Sequence, residues 1–266
     1  MMNIQKFIEK NSELLKNIDI DLVKKVVVFD ETSSTNTKAK EIARTGEEGA
    51  LIIARTQTKG RGRFNRIWHS PEGGLYFSVI LKPNISPDKI SLLPLIAALA
   101  VSKTINLNYN LKAKIKWPND VRINGKKVAG ILLESEIDGK EVRYVILGFG
   151  INLNIDVNQF PKELKNAVTS ASQELGTEVD YQKFLEKLLS VLDGYYKMFL
   201  HKEIDILLKE WKELSDTLNR RVKIVISSEE ITGTAHDIDK SGFLIVTTDS
   251  GDYKKIMSGD CIYIEN

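Results

Sequence analysis

Apolar positions recur along this chain with two different periods, and the places where one gives way to the other mark its organisation. Ile4, Phe7, Ile8, Leu14, Leu15 and Ile18 fall at helical spacing over 3–18. That is one short helix, too little for a helix-turn-helix module. Continuous apolar runs over 26–29, 50–55 and 75–81 read as buried strands. Ser33, Ser34, Thr35 and Asn36 precede a predicted helix over 37–44, which stops at Gly46. Residues 56–71 carry Gly and Arg with no apolar period and predict a loop, and 83–87 predict a turn. Residues 88–106 are small and apolar almost throughout, which predicts a buried helix with Pro94 in its early turns.

The middle of the chain alternates strands with tight turns. A strand over 114–117 ends at Pro118, and strands over 121–123 and 127–134 are joined by Asn124-Gly125, the signature of a two-residue hairpin. Asp138-Gly139 turns the chain again into a strand over 142–149. Consecutive hairpins predict an α+β fold: a mixed, largely antiparallel sheet with helices on one side, not a parallel doubly wound sheet. Amphipathic helices over 181–200 and 203–214 follow. Beyond about Leu218 the texture changes to short strands over 221–226, 230–237, 244–248, 253–256 and 261–264, separated or interrupted by Gly233, Gly242, Gly251 and Gly259. This is the pattern of a small β-barrel. The expected domains are 1–218, in which 1–24 form a helix and lead-in, and 219–266.

Composition narrows the function. A net charge of +2 over 266 residues gives no reason to expect nucleic-acid binding. A single cysteine, Cys261, cannot form an intramolecular disulfide and fits a reducing compartment. The first residues show no secretory signal, and the longest apolar stretch, near 92–101, is too short to cross a bilayer. A soluble, cytoplasmic protein without a membrane partner is expected. His69, His201 and His236 are isolated, so no metal-ligand spacing appears, and no nucleophile elbow is present.

Two segments carry the chemistry. The first, Gly60-Arg61-Gly62-Arg63-Phe64-Asn65-Arg66-Ile67-Trp68, sets three arginines among glycines and ends on an indole. The second runs Lys116-Trp117-Pro118-Asn119-Asp120, followed by Gly125 to Gly130 with Lys127 opening an apolar strand. Glycines let a backbone approach a ligand, and arginines grip carboxylates and phosphates in pairs of hydrogen bonds. The two segments describe a pocket for a carboxylate and a nucleotide phosphate. Neither the P-loop nor the dinucleotide-binding glycine pattern is present. Ser34, Thr35 and Asn36 read equally as ordinary helix caps or as donors and acceptors for a polar heterocycle. Lys127 reads as a solvated strand-end lysine or as a residue at a site mouth. Gly148 and Gly150 mark a strand irregularity or a place for a flat ligand.

Taken in order, these segments resemble the biotin–protein ligases, and the resemblance covers nearly the whole chain. It also includes Gln57, the run from Lys127 to Glu134 and the run from Gly148 to Asn154; Asn65 stands where many members carry a glycine. The resemblance implies the catalytic fold shared by biotin and lipoate ligases, akin to class II synthetases, with an SH3-like C-terminal barrel. It implies ATP and biotin as substrates, Mg2+, no tightly bound prosthetic group, and a biotinyl-5′-adenylate intermediate. A lysine of a biotin carboxyl carrier protein or domain then takes the biotin. Lys127 and Arg63 would be catalytic. Ser34, Thr35, Asn36, Gln57, Gly60, Arg61, Gly62, Arg63, Tyr76, Lys127, Gly130, Gly148 and Gly150 would bind biotin. Arg61, Arg63, Arg66, Trp68, Lys116, Asn119, Asp120, Lys127 and Asn152 would bind ATP, with Asp120 the metal candidate. The short lead-in implies the ligase-only type without DNA binding, and a homodimer is left open. The alternatives are a lipoate ligase of the same fold and a non-catalytic biotin- or nucleotide-sensing regulator.

Overall fold

The computed structural model describes residues 20–226 and 229–264. The helix expected over 3–18 lies outside the described residues. Seven strands form the large sheet: β1 (Lys25–Thr32), β2 (Ala50–Gln57), β3 (Leu75–Leu81), β4 (Ala113–Lys116), β5 (Asp120–Ile123), β6 (Lys126–Asp138) and β7 (Glu141–Ile151). Their spatial order is β1-β2-β3-β7-β6-β5-β4. Only β1 and β2 run parallel. The helix α1 (Thr35–Ala43) connects them. The β5–β6 turn is the expected Asn-Gly hairpin: Asn124 and Gly125 both take positive φ, 50° and 78°, which suits the twist of the flanking strands.

Strand alternation divides the core in two. Leu51, Ile53, Phe77, Val79, Leu147 and Phe149 point to one face. There they meet α2 (Leu92–Tyr109), α4 (Tyr181–Leu200) and α5 (Ile204–Leu214). Phe77 and Phe149, cross-strand neighbours, stack with centroids 4.4 Å apart. The expectation of helices on one side holds for these three. The short α1 covers the opposite face, where Ala39 and Ala43 pack on Ile52, Ile80, Tyr144 and Ile146.

The apolar segment is longer than the sequence suggested. Residues 87–109 are long and apolar enough to span a bilayer by length and composition, yet 72% of that window is buried inside the fold. A helix apolar all round is what a core demands when sheet and helices enclose it.

A short α3 (Ala171–Leu175) precedes α4. The second sheet contains β8 (Arg221–Ile226), β9 (Glu229–Ile238), β10 (Leu244–Thr248), β11 (Tyr253–Ile256) and β12 (Asp260–Tyr263). It is antiparallel, in the order β11-β10-β9-β8-β12. Trp117, buried and followed by a cis peptide to Pro118, joins the two sheets. Its indole N–H donates to the Gly242 carbonyl at 3.1 Å, and its backbone N–H donates to Thr217 Oγ1 at 2.9 Å.

The stacked pair at the sheet centre gives a direct test of this packing. Phe77→Ala removes a fully buried ring and is expected to lower stability by about 3–5 kcal/mol in urea unfolding. A loss below about 1 kcal/mol would mean that this face is not close-packed.

Candidate active site

The site begins with what the sheet lacks. Tyr76 and Ser78 of β3 face away from the main core and pair with Gly150 and Gly148 of β7. On the far side of β7, Gly130 and Leu132 of β6 pair with the same two glycines. A strip of Gly130, Gly148 and Gly150 therefore floors a cavity of about 360 Å³, with Ser78 fully buried beside it, behind Thr35 and Asn36. Side chains from elsewhere lie flat on this floor. A Cβ at position 148 would fall 2.0 Å from Asn36 Oδ1, and one at 150 would fall 2.4 Å from the Trp68 indole nitrogen.

One end of the cavity is a hydrogen-bonded wall at the start of α1. Gln57 Oε1 accepts from the Thr35 backbone N–H at 2.8 Å and from its hydroxyl at 3.2 Å. Gln57 Nε2 donates to Ser70 Oγ at 2.9 Å, and Ser70 donates onward to the Trp68 carbonyl at 3.1 Å. The Ser78 hydroxyl lies 2.8 Å from Thr35 Oγ1 and 2.7 Å from Asn36 Oδ1. Ser34 occupies the N-cap position, but its side chain makes no capping bond and lines the cavity instead. Of the two readings of this segment, capping is not what the Ser34 hydroxyl does.

The opposite end is cationic. Residues 60–68 fold as a small hairpin, with the Gly62 N–H on the Arg66 carbonyl at 2.7 Å and the Trp68 N–H on the Gly60 carbonyl at 2.9 Å. At its tip Phe64 and Asn65 take left-handed φ of 54° and 58°. Asparagine tolerates that region better than most residues, which accounts for Asn65 in place of glycine. From this hairpin Arg61 pairs with Glu134 at 2.8 Å, and Arg66 pairs with Asp260. Arg63 donates to Asn119 Oδ1 at 3.3 Å and to Ser258 Oγ at 2.9 Å. Burial pushes the Arg63 guanidinium below its ordinary pKa, opposed by the nearby Asp120 and Asp260 carboxylates.

The remaining wall comes from β4 to β6. Lys127 pairs with Asp120 at 2.6 Å, its ammonium 5.1 Å from the centre of the Trp68 ring. Asn119 is held by Ile131, donating to its carbonyl at 2.6 Å. Lys116 sits over the Tyr263 ring at 4.9 Å. Burial lowers its pKa, helped by the like charge of Arg122. Cys261 also lines the cavity; burial pushes its thiol up to about 11, so it is a neutral wall group near pH 7 and no nucleophile.

Ser34, Thr35, Asn36, Gln57, Arg61, Gly62, Arg63, Arg66, Trp68, Lys116, Asn119, Asp120, Lys127, Gly130, Gly148 and Gly150 are thus gathered around one cavity. Three expected residues are not on its wall. Tyr76 is fully buried and donates to the Pro71 carbonyl at 2.8 Å; with Ile155 and Phe160 it forms the apolar cluster on which Trp68 packs. Gly60 is a packing glycine, since a Cβ there would meet the Trp68 carbonyl at 2.3 Å and Ser70 Oγ at 2.6 Å. Asn152 is buried and braces the chain by donating to the Thr169 carbonyl at 3.0 Å.

Sequence reasoning missed other contributors. Ser78 was legible as the one polar residue in an otherwise apolar strand. Glu134 is only the last position of the Lys127–Glu134 run, with nothing in its identity to set it apart. Residues 259–262 line the cavity from the second sheet and carry no motif that could announce them.

Asp120 is the expected metal residue. No cluster of three or more metal-type ligands occurs among the described residues, and the Asp120 carboxylate is taken up by Lys127. Such a donor set suits a cation that arrives on phosphate oxygens and needs only one or two protein carboxylates.

Residues 28–152 match the model of the Biotin/lipoate A/B protein ligase family, and residues 217–263 match that of the Biotin protein ligase C terminal domain. The bifunctional ligase/repressor BirA of Bacillus subtilis is 38% identical over 237 residues, which are 88% of this chain and 73% of that protein. The biotin–[acetyl-CoA-carboxylase] ligase of Paracoccus denitrificans is 32% identical over 83% of this chain and 93% of its own length. Among solved structures, the biotin protein ligase from Aquifex aeolicus in complex with biotin and ATP superposes with a TM-score of 0.79 at 31% identity, covering 91% of this chain and 100% of that one. With relatives matched over most of both lengths, and the cavity lying where the two matched segments meet, the chain belongs to the biotin protein ligase family.

Proposed function

We propose that this enzyme activates biotin with ATP and transfers it to a lysine of a biotin carboxyl carrier protein or domain. The observation that carries the reading is the polarity of the cavity over the glycine floor. A wall of hydroxyl and amide groups stands at one end, cations cluster at the other, and a glycine floor joins them. Biotin has that polarity: a ureido ring with donors and acceptors, an apolar stem and a carboxylate. Ser34, Thr35, Asn36 and Gln57 read the ring, and Ser78 braces Thr35 and Asn36 from behind. Lipoate's dithiolane would leave these groups unpaired and desolvated, which disfavours the lipoate alternative.

In the first step a biotin carboxylate oxygen attacks the α-phosphorus, the bond to the β-phosphate bridging oxygen breaks, and pyrophosphate leaves with that electron pair. Two anions must approach, so fixed cations lower the barrier by stabilising charge on the phosphoryl oxygens. Lys127 stands between the cavity floor and Asp120, where its ammonium bridges carboxylate and α-phosphate. Arg61 and Arg63 hold the same region, and Arg66 and Lys116 face the triphosphate. Lys116 is suited to this because its charge rests on an aromatic ring and on no acidic side chain among the described residues. Trp68 offers a flat face for adenine, and Asn119 serves the ribose or phosphates. Asp120 would be the protein donor to Mg2+, which when bound would supply neutralisation of phosphate charge. In the second step the carrier lysine's neutral amine attacks the acyl carbon, AMP departs, and the amine loses a proton as the amide forms. The buried, unpaired Cys261 and the biosynthetic carrier support a cytoplasmic enzyme.

Purified protein with ATP and biotin should release pyrophosphate, and a carrier domain should then become biotinylated. Release with lipoate in place of biotin, or binding of biotin without release, would overturn the proposal. Lys127→Ala is expected to slow adenylation by about 10²–10³-fold, the scale set by loss of one preorganised charge-stabilising donor, with little effect on thermal unfolding. Transfer from supplied biotinyl-adenylate should suffer less. A wild-type rate of pyrophosphate release in this variant would return Lys127 to the status of a solvated strand-end residue.

Gly148→Ala puts a methyl into the Asn36 amide. Overpacking of about 1–3 kcal/mol at that point should raise the biotin concentration for half-maximal rate by roughly 10–100-fold. The ATP requirement should change little. An equal rise in both constants would place the glycine outside the biotin end of the cavity.

A further inference from the structure

Glu134 does not line the cavity, yet one of its oxygens holds two residues that do. Along β6, Gly130, Leu132 and Glu134 alternate onto the site face. Gly130 and Leu132 reach the cavity, whereas Glu134 lies just beyond it, in a groove shared with Arg61, Phe64 and Leu133. Its Oε2 accepts from Asn36 Nδ2 at 2.8 Å and from Arg61 Nη2 at 2.8 Å.

We infer that Glu134 is a positioning residue that sets the hydrogen-bond polarity of the ring-reading wall, an inference that rests on the biotin reading above. An asparagine amide has a donor end and an acceptor end of nearly equal shape, and can face either way. An ionised carboxylate only accepts. Glu134 therefore admits only the nitrogen of Asn36, and the Leu132 carbonyl, 3.5 Å from the same nitrogen, also only accepts. With Nδ2 turned outward, Oδ1 lies over Gly148 and accepts from Ser78. The single Ser78 proton is thereby committed to Asn36 Oδ1, which leaves Ser78 Oγ an acceptor towards the Thr35 hydroxyl. At the other end, the Thr35 backbone N–H can only donate, and it fixes the Gln57 amide in the same way. A ligand with both donors and acceptors meets a wall whose polarity is settled in advance, so the cost of ordering it is met during folding. Because the same carboxylate oxygen holds Arg61, the 60–68 hairpin is fastened to this polarity switch as well.

Glu134→Gln is nearly isosteric but can present either an oxygen or a nitrogen, so Asn36 becomes free to turn. Titration calorimetry with biotin alone would follow four proteins: wild type, Glu134→Gln, Asn36→Ala and the double variant. In the wild-type background Glu134→Gln should weaken biotin binding by about 10-fold or more. In the Asn36→Ala background, where there is no amide to orient, the same change should weaken it less than about 3-fold. Should Asn36→Ala not be recovered folded, Ser78→Ala takes its place, since it removes the hydroxyl that bonds the Asn36 oxygen. A loss in Glu134→Gln that simply adds to the second substitution, or no loss at all, would overturn the inference, because general damage to the sheet acts equally in both backgrounds. A wild-type protein that does not bind biotin would instead remove the functional reading on which the inference stands.

Discussion

The pleat of the large sheet sends Phe77, Val79, Leu147 and Phe149 to one face, and at the neighbouring positions leaves Ser78, Gly148 and Gly150 on the other. Everything at the site depends on that alternation. The bulky set needs α2, α4 and α5 above it to exclude water, and this is the main source of stability. The bare set cannot form a core, because it has almost no apolar side chain to bury. It forms a floor instead. Over part of that face α1 finds Ile52, Ile80 and Ile146 and packs; where the glycines begin there is nothing for a helix to pack on, and α1 starts there, with Thr35 and Asn36 at the edge of the gap. The cavity is the space those missing side chains leave. Trp68 and the Asn36 amide can lie flat there for the same reason that a ligand can.

The charged end obeys a different constraint. Arg61, Arg66 and Lys127 each hold a carboxylate of the same chain: Glu134, Asp260 and Asp120. Arg61 and Arg66 are exposed, so solvent screens their pairs, whereas the half-buried Lys127 depends more on the Asp120 carboxylate beside it. The same pairs limit how tightly an anion can bind, since each phosphate oxygen competes with a carboxylate already in place. Lys116 makes no ion pair among the described residues and lies over the Tyr263 ring, with the Asp120 carboxylate acting on it only at longer range. Cations shared between resident acids and incoming anions favour an arrangement that gains most when substrate charge is greatest, as it is while pyrophosphate is leaving.

What the sequence disclosed follows the range over which its signals act. Strands such as Leu75–Leu81 and Arg221–Ile226, and the helix Tyr181–Leu200, were legible to the residue, because periodicity and turn residues are local. The Asn124-Gly125 hairpin was legible for the same reason. The parallel pairing of β1 with β2, and the placement of α1 on the far face, were not: they depend on which sheet face is left uncovered, and no local pattern states that. At the site, motifs announced the arginine hairpin and Lys127. Tyr76 and Asn152 enter only through the family resemblance; in the structure Tyr76 bonds the Pro71 carbonyl and Asn152 the Thr169 carbonyl. Ser78 and Glu134 carry ordinary identities, and only the pairing register gives them meaning.

The second sheet is part of the site rather than an appendage to it. Ser258 and Asp260 anchor Arg63 and Arg66 of the hairpin, and residues 259–262 complete the cavity wall. That wall stays in place only while the two sheets remain docked, and docking runs through Trp117, whose indole and backbone N–H bond Gly242 and Thr217. Trp117 is followed immediately by Pro118, Asn119 and Asp120, which reach the site. One short segment thus contributes both to docking the second sheet, alongside the Ser91–Ser241 and Lys212–Asp237 contacts, and to placing the Lys127 partner. Any motion that lifts the second sheet must strain the Asn119–Asp120 side of the cavity and release the arginine hairpin at the same time. The charged cluster is therefore held from both sheets at once, which suits a reaction whose intermediate has to be kept from water until the carrier lysine arrives.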